Sequence, residues 1–183
     1  MKLFLVVRPK KNTLTAIHND FSEFKLKHRI FEFEDESNLL IPIAILGDYS
    51  YDKLPLVKEA ILQSIFDFRP ISIFFERLKF LQKDKRLILL GAFHKNKALQ
   101  EIRDRLAYYC SSEGVNKINE NLIPYLTIAS AKLPSKQQYL HLKKKIERMK
   151  LAFEIYIDTF ELVSSVEDST SQSYEVIHSF EAR

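Results

Sequence analysis

Apolar positions along the chain follow two spacings that alternate from one segment to the next. In residues 13–27, Leu14, Ile17, Phe21 and Phe24 fall on one face of a 3.6-residue period, which predicts an amphipathic helix. The same spacing gathers Leu54, Val57, Ile61 and Ile65 in residues 52–66, with Asp52 as N-cap and Pro55 tolerated in the first turn. It returns as Leu99, Ile102, Leu106 and Tyr109 in 97–112, where Gly114 follows as a stop signal. A fourth helix, 135–149, gathers Tyr139, Leu142, Ile146 and Met149. Between the helices lie runs rich in β-branched and aromatic residues, at 2–7, 39–46, 71–75, 77–82, 86–93, 123–130, 153–163 and 174–180. These are predicted as strands, giving a mixed α/β (α+β) chain.

The pattern repeats. Slid on itself by 85 residues, the chain lays Leu14, Ile17, Phe21 and Phe24 on Leu99, Ile102, Leu106 and Tyr109. Strand 3–7 falls on 88–92, strand 40–44 on 125–129, and Leu54, Val57 and Ile61 on Tyr139, Leu142 and Ile146. Two helices and two strands thus come into phase with one shift and no gap. The expectation is a single domain over 1–183, made of two β-α-β-α-β copies. The repeat sets its lobes at roughly 1–84 and 85–183, with the terminal strands candidates for exchange between them. Two similar lobes related by a pseudo-two-fold axis leave a cleft, a common place for a ligand.

Charge changes the picture by its distribution rather than its sum of +4. Residues 77–105 carry nine Lys/Arg against three acids, and 132–150 carry seven against one. Conversely, 31–59 carries seven acids against two bases, and 151–183 carries seven against Arg183 alone. Such segregation suggests one basic side suited to phosphates, with Lys143, Lys144, Lys145, Arg148 and Lys150 on the fourth helix. The single cysteine, Cys110, has no internal disulfide partner and points to a reducing compartment, the cytoplasm. No segment approaches the ~20 apolar residues of a membrane span, and the short run 3–7 reads as a buried strand rather than a signal peptide. With Gly47, Gly91 and Gly114 as its only glycines, the chain has no phosphate-binding or dinucleotide glycine motif. His18, His28, His94, His141 and His178 show no metal-ligand spacing, so neither metal nor cofactor is expected.

Two strands carry a resemblance. The run Asn38-Leu39-Leu40-Ile41-Pro42-Ile43-Ala44-Ile45-Leu46-Gly47 resembles the first motif of the 2H phosphoesterases (the 2′-5′ RNA ligase or LigT-like family), a His-x-Thr/Ser strand leading into a Leu-Gly turn. The run Leu122-Ile123-Pro124-Tyr125-Leu126-Thr127-Ile128-Ala129 is similar to their second motif, in which Pro precedes His-x-Thr. The likeness extends in element order from Leu3 to about Phe180. It implies two lobes whose antiparallel sheets face a central cleft, with helices outside. It also implies a phosphodiester substrate, typically a 2′,3′-cyclic phosphate or a 2′-5′ linkage, worked on by two histidines and held by two hydroxyls. In a strand, residues i and i+2 point the same way, which is why His and Thr alternate.

Carried over by position, the histidines become Leu40 and Tyr125 and the hydroxyls become Pro42 and Thr127. Leucine moves no proton, and tyrosine, with a reference pKa of about 10, is a poor base at neutral pH. Each general acid or base is worth roughly 10²–10⁴ in rate, so the resemblance implies a catalytically degenerate member, a pseudoenzyme. Tyr125 and Thr127 remain as candidate ligand-binding residues, with His94 a further candidate for approaching a phosphate. Three functions follow: a binder of RNA ends or nucleotides, an active phosphodiesterase or RNA ligase using Tyr125 or His94 instead, and a scaffold for a protein partner. A membrane partner is not expected. A cleft closed by Leu40 packed on Tyr125 would favour the scaffold.

Overall fold

A computed structural model describes residues 1–112, 124–167 and 172–182. Gly114, and Leu122 and Ile123 at the head of the second motif, lie outside the described residues. The elements run β1 (Lys2–Val7), α1 (Lys11–Lys27), β2 (Glu32–Phe33), β3 (Ile41–Asp48), α2 (Leu54–Ile65), β4 (Ile71–Lys83), β5 (Arg86–Phe93), α3 (Lys97–Ser112), β6 (Tyr125–Lys132), α4 (Lys136–Ile146), β7 (Glu154–Ile157), β8 (Thr159–Glu167) and β9 (Gln172–Glu181). All pairings are antiparallel, in a four-stranded sheet ordered β3-β1-β8-β9 and a five-stranded one ordered β2-β6-β5-β4-β7.

The helices form where the 3.6-residue stripe meets a sheet. Leu14, Ile17, Phe21 and Phe24 of α1 are all buried, each worth roughly 1.5–3 kcal/mol relative to exposure. Their aromatic end joins the five-stranded sheet. Phe21 meets Phe33, Phe24 meets Phe31, Phe31 stacks on Phe80 at 6.0 Å, and Phe80 meets Tyr139 of α4. The other two helices lie together against the four-stranded sheet. Phe68, just after α2, packs on Phe160 of β8, and Arg105 of α3 pairs with Asp67 at 2.6 Å.

Several local expectations change. Asp52 does not cap α2. A 3₁₀ turn over Tyr51–Lys53 runs straight into the helix, and Lys53 sits at the cap with no side-chain bond. The helix at 135–149 ends at Ile146 but starts with a capping box: the Gln138 N–H donates to Ser135 Oγ and the Ser135 N–H to Gln138 Oε1. The break between 71–75 and 77–82 is a register shift inside one strand, β4, between Phe75 and Arg77. The run 153–163 is two strands in different sheets, parted at Asp158, whose carboxylate takes Lys10 Nζ at 2.5 Å.

The repeat needs one correction. Val6 pairs with Pro42 and Leu5 with Ala44, while Leu90 pairs with Thr127 and Leu89 with Ala129. The β3-to-β6 shift is therefore 85, but the β1-to-β5 shift is 84. A slip of one residue turns every side chain to the other face, so strand 3–7 matches 87–91 rather than 88–92. In both ladders the partner jumps two residues at this point, leaving Ile43 and Ile128 as bulged residues. The chain crosses between sheets as well: β4 pairs with β5 of the second half, and β8 with β1 of the first.

Candidate functional site

A cleft of about 670 Å³ opens between the two sheets. From the four-stranded sheet, Lys2, Phe4, Val6, Leu40, Pro42 and Ile45 line it; from the other, Arg86, Ile88, Leu90, Tyr125, Thr127 and Ser130. With shifts of 84 for β1/β5 and 85 for β3/β6, these two sets correspond residue for residue. All four motif positions, 40, 42, 125 and 127, therefore meet in one cavity. The bulges at Ile43 and Ile128 account for the aim: each lets residues before it and the residue three further on share the cleft face, as Pro42 and Ile45 do, and Thr127 and Ser130. Pro42 can sit here because β3 is the sheet's edge strand and the missing N–H lies next to a bulge.

The walls differ in chemistry. Leu40 is only 6% exposed and packs with Phe4, Val6 and Val163, with Ile45 and Tyr174 against the cluster. Tyr174, from β9, meets Phe4 edge to face at 5.8 Å. Opposite, Tyr125, Thr127 and Ser130 are half-buried. Burial pushes the Tyr125 phenol above its ordinary value, which is the wrong direction for a group shuttling protons near neutral pH. The cleft is open and Leu40 packs into its own wall, so the occluded arrangement that would favour a scaffold is not what forms.

None of the five histidines, all within the described residues, is among those lining the cleft. His94 is exposed just past β5, its N–H donating to the Phe74 carbonyl at 3.0 Å. Nor do the bases expected on the fourth helix enter: Lys143 of α4 and Lys150, which lies past its end, border a separate groove with Arg77 and Lys79. The cleft itself balances Lys2, Lys83 and Arg86 against Glu32, Glu34 and Asp35. Among the described residues, no cluster of three or more His, Cys, Asp or Glu is placed to hold a metal, and no helix is long and apolar enough to cross a membrane.

Glu34 and Tyr174 are the groups that sequence reasoning missed. The Glu34 N–H donates to the carbonyl of bulged Ile128 at 3.0 Å, which extends β2 along β6 to the level of Ile128, next to Thr127. Burial first, then neighbouring Asp35, raises the Glu34 carboxyl above its ordinary pKa, while Arg86 pulls it down and Glu32 adds to the rise. The Tyr174 phenol is raised by burial, then by Glu34 and Tyr125. All three groups line the cleft. Arg86 is already engaged, its Nη2 reaching Glu32 at 2.6 Å and Ser130 Oγ at 2.7 Å. The alternation Phe31-Glu32-Phe33-Glu34, with the phenylalanines packed on Phe24 and Phe21 and both glutamates lining the cleft, was the available signal for β2.

No protein-family model matches the sequence, and comparison with curated proteins gives no match either. Solved structures match over the whole chain. TT0787 of Thermus thermophilus superposes with a TM-score of 0.74 at 16% identity, covering 100% of this chain and 98% of that one. LigT of E. coli complexed with 3′-AMP gives 0.70 at 13%, covering 99% and 97%. The MHV ns2 PDE domain gives 0.59 at 13%, covering 96% of each. E. coli LigT is also known in complexes with ATP and with NADP+. The fold of this chain, two antiparallel sheets with four helices among the described residues, is the fold of E. coli LigT and TT0787.

Proposed function

We propose that this protein binds a nucleotide or an RNA end in the cleft between its sheets and has lost the chemistry of the 2H phosphoesterases. In this reading residues 1–183 work as one cytoplasmic domain whose two lobes share the ligand. The observation that carries it is the pairing of a hydroxyl-bearing wall, Tyr125, Thr127 and Ser130, with a cavity that holds no histidine. Thr127 offers a hydroxyl for hydrogen bonding to the ligand, and Tyr125 offers a ring for stacking or a phenol for hydrogen bonding. The nucleotide complexes of E. coli LigT support the same class of ligand. Without a histidine, and with the Tyr125 phenol raised rather than lowered, neither an acid nor a base fitted to neutral pH stands at the motif positions.

Calorimetric titration with nucleotides and short RNAs tests this, with 2′,3′-cyclic phosphate and 2′-5′ linked ends included, alongside hydrolysis assays on the same compounds. Binding without turnover is expected. Tyr125→Ala and Thr127→Ala should each weaken binding by about tenfold, the loss typical of one stacked base or one charge-assisted hydrogen bond. No binding, or affinity untouched by both substitutions, would remove the proposal. Turnover abolished by Thr127→Ala would mean instead that the cleft still moves protons.

A further inference from the structure

Two ends of the cleft can be told apart along β5, and at the first Glu32 and Ser130 already hold Arg86. Lys83 and Arg86 pair across the β4–β5 hairpin and mark one end. Four residues on, roughly 13 Å away at ~3.3 Å per residue, Leu90 pairs with Thr127, and Ala92 beyond it pairs with Tyr125. Glu34 belongs to this second end, fixed by its backbone bond to Ile128. Tyr174 faces it from the other sheet and feels both Glu34 and Tyr125.

A phosphate set against this end would meet the Glu34 carboxylate with Asp35 beside it. Of the cleft's bases only Arg86 pulls on Glu34, and its guanidinium is already taken up by Glu32 and Ser130. Like charges brought together in this way are a device for rejecting a ligand. What a carboxylate does accept is a pair of O–H donors, as the acidic residue of dinucleotide sites accepts a ribose hydroxyl. Between the two ends the cleft is lined by apolar side chains, among them Phe4, Val6, Ile88 and Leu90. A single nucleotide plus an extended lysine side chain spans the distance to Lys83.

We propose that Glu34 makes the cleft selective for a nucleotide or RNA 3′ end with a free 2′,3′-diol, the diol on Glu34 and the 5′-phosphate directed toward Lys83. This rests on the cleft being a nucleotide site, and it adds which end of the nucleotide lies where. Direct hydrogen bonding to the diol would reverse the preference for a phosphorylated 2′,3′ end.

The test is calorimetric titration of wild type and Glu34→Gln with three nucleotides that differ only at the diol: adenosine 5′-phosphate, its 2′-deoxy analogue, and adenosine 3′,5′-bisphosphate. Wild type should bind the first about tenfold tighter than either of the others, the loss expected for one hydrogen bond to a charged group. Glu34→Gln, isosteric but uncharged, should bring all three within about threefold, mostly by improving the bisphosphate. Equal affinities in wild type, or a preference unchanged in the variant, would overturn the role of Glu34 while leaving the nucleotide site standing. Failure of all three to bind wild type would overturn both. Should Glu34→Gln not fold, the wild-type ranking decides alone.

Discussion

Along the β3–β1 wall the cleft-facing residues are Lys2, Phe4, Val6, Leu40, Pro42 and Ile45; along the β6–β5 wall their counterparts are Arg86, Ile88, Leu90, Tyr125, Thr127 and Ser130. The first strand of each wall keeps its character, a base at its head and two apolar residues after it. All of the divergence falls on the other strand, where Leu, Pro and Ile face Tyr, Thr and Ser. Backbone plan and bulge are common to both walls, so the fold does not require the polar residues. Those on β6, with Glu34 pinned beside them, are free to serve a ligand, whereas Leu40 has joined the packing of its own wall. One wall is packed apolar at these positions and the other presents hydroxyls to the cleft.

The strongest way to break this comparison is to restore the symmetry. Leu40→His combined with Tyr125→His gives both walls a proton carrier, with Thr127 still in place. If the walls differ only in these side chains, hydrolysis of 2′,3′-cyclic nucleotides should rise by about 10²–10⁴ over wild type, read as steady-state turnover. No gain would mean that the cleft has also changed shape or charge, with Pro42 and Glu34 the first suspects.

Truncation sharpens it at the level of stability. Leu40→Ala removes packing from a buried apolar cluster and should cost about 2–5 kcal/mol, whereas Tyr125→Ala, at a half-buried position, should cost roughly 1 kcal/mol or less. Urea midpoints measured side by side give the difference. Equal losses would mean that Tyr125 is as structural as Leu40 and would weaken its reading as a ligand contact.

How much of this the sequence carried depended on periodicity. The faces of α1 and α3 were legible because their buried residues repeat at 3.6 against polar neighbours, and the β3/β6 shift of 85 followed from them. The β1/β5 register was not legible. Leu3, Phe4, Leu5, Val6 and Val7 are all buried, since one face of β1 meets the core and the other the cleft cluster. With no polar alternation, a shift of 84 and one of 85 match equally well. The crossing of β4 and β8 between sheets is a long-range pairing that local pattern does not encode. Glu34 was hidden differently: its charge read as part of the acidic block 31–59, and the strand just before it is only two residues long. The motif positions, by contrast, were legible as a set, because bulged strands of the same design carry them into one cavity.

The smallest expected effect isolates Glu34, and its sign can be worked out in advance. Burial, Asp35 and Glu32 outweigh Arg86 and raise its carboxyl pKa in the folded chain. Between the unfolded and the folded pKa the native state therefore binds more protons than the unfolded one, and stability falls as pH rises through that window. Above the folded pKa the half-buried carboxylate is ionised and is a net cost; below the unfolded pKa the cost is gone. Carboxylates such as Asp158, lowered by its bond to Lys10, act in the opposite direction, so total stability against pH mixes both signs. The difference between Glu34→Gln and wild type cancels them. Glu34→Gln should melt higher than wild type at pH 7–8, by no more than ~2–4 °C, the shift that about 1 kcal/mol produces in a chain of this size. The gap should close as pH falls below about 4. A wall kept at a cost to stability is what a ligand-binding surface looks like, because selection for stability alone would have replaced that carboxylate. If Glu34→Gln melts lower than wild type at neutral pH, the carboxylate is a structural tie between β2 and β6, and the polar wall loses its strongest claim to function.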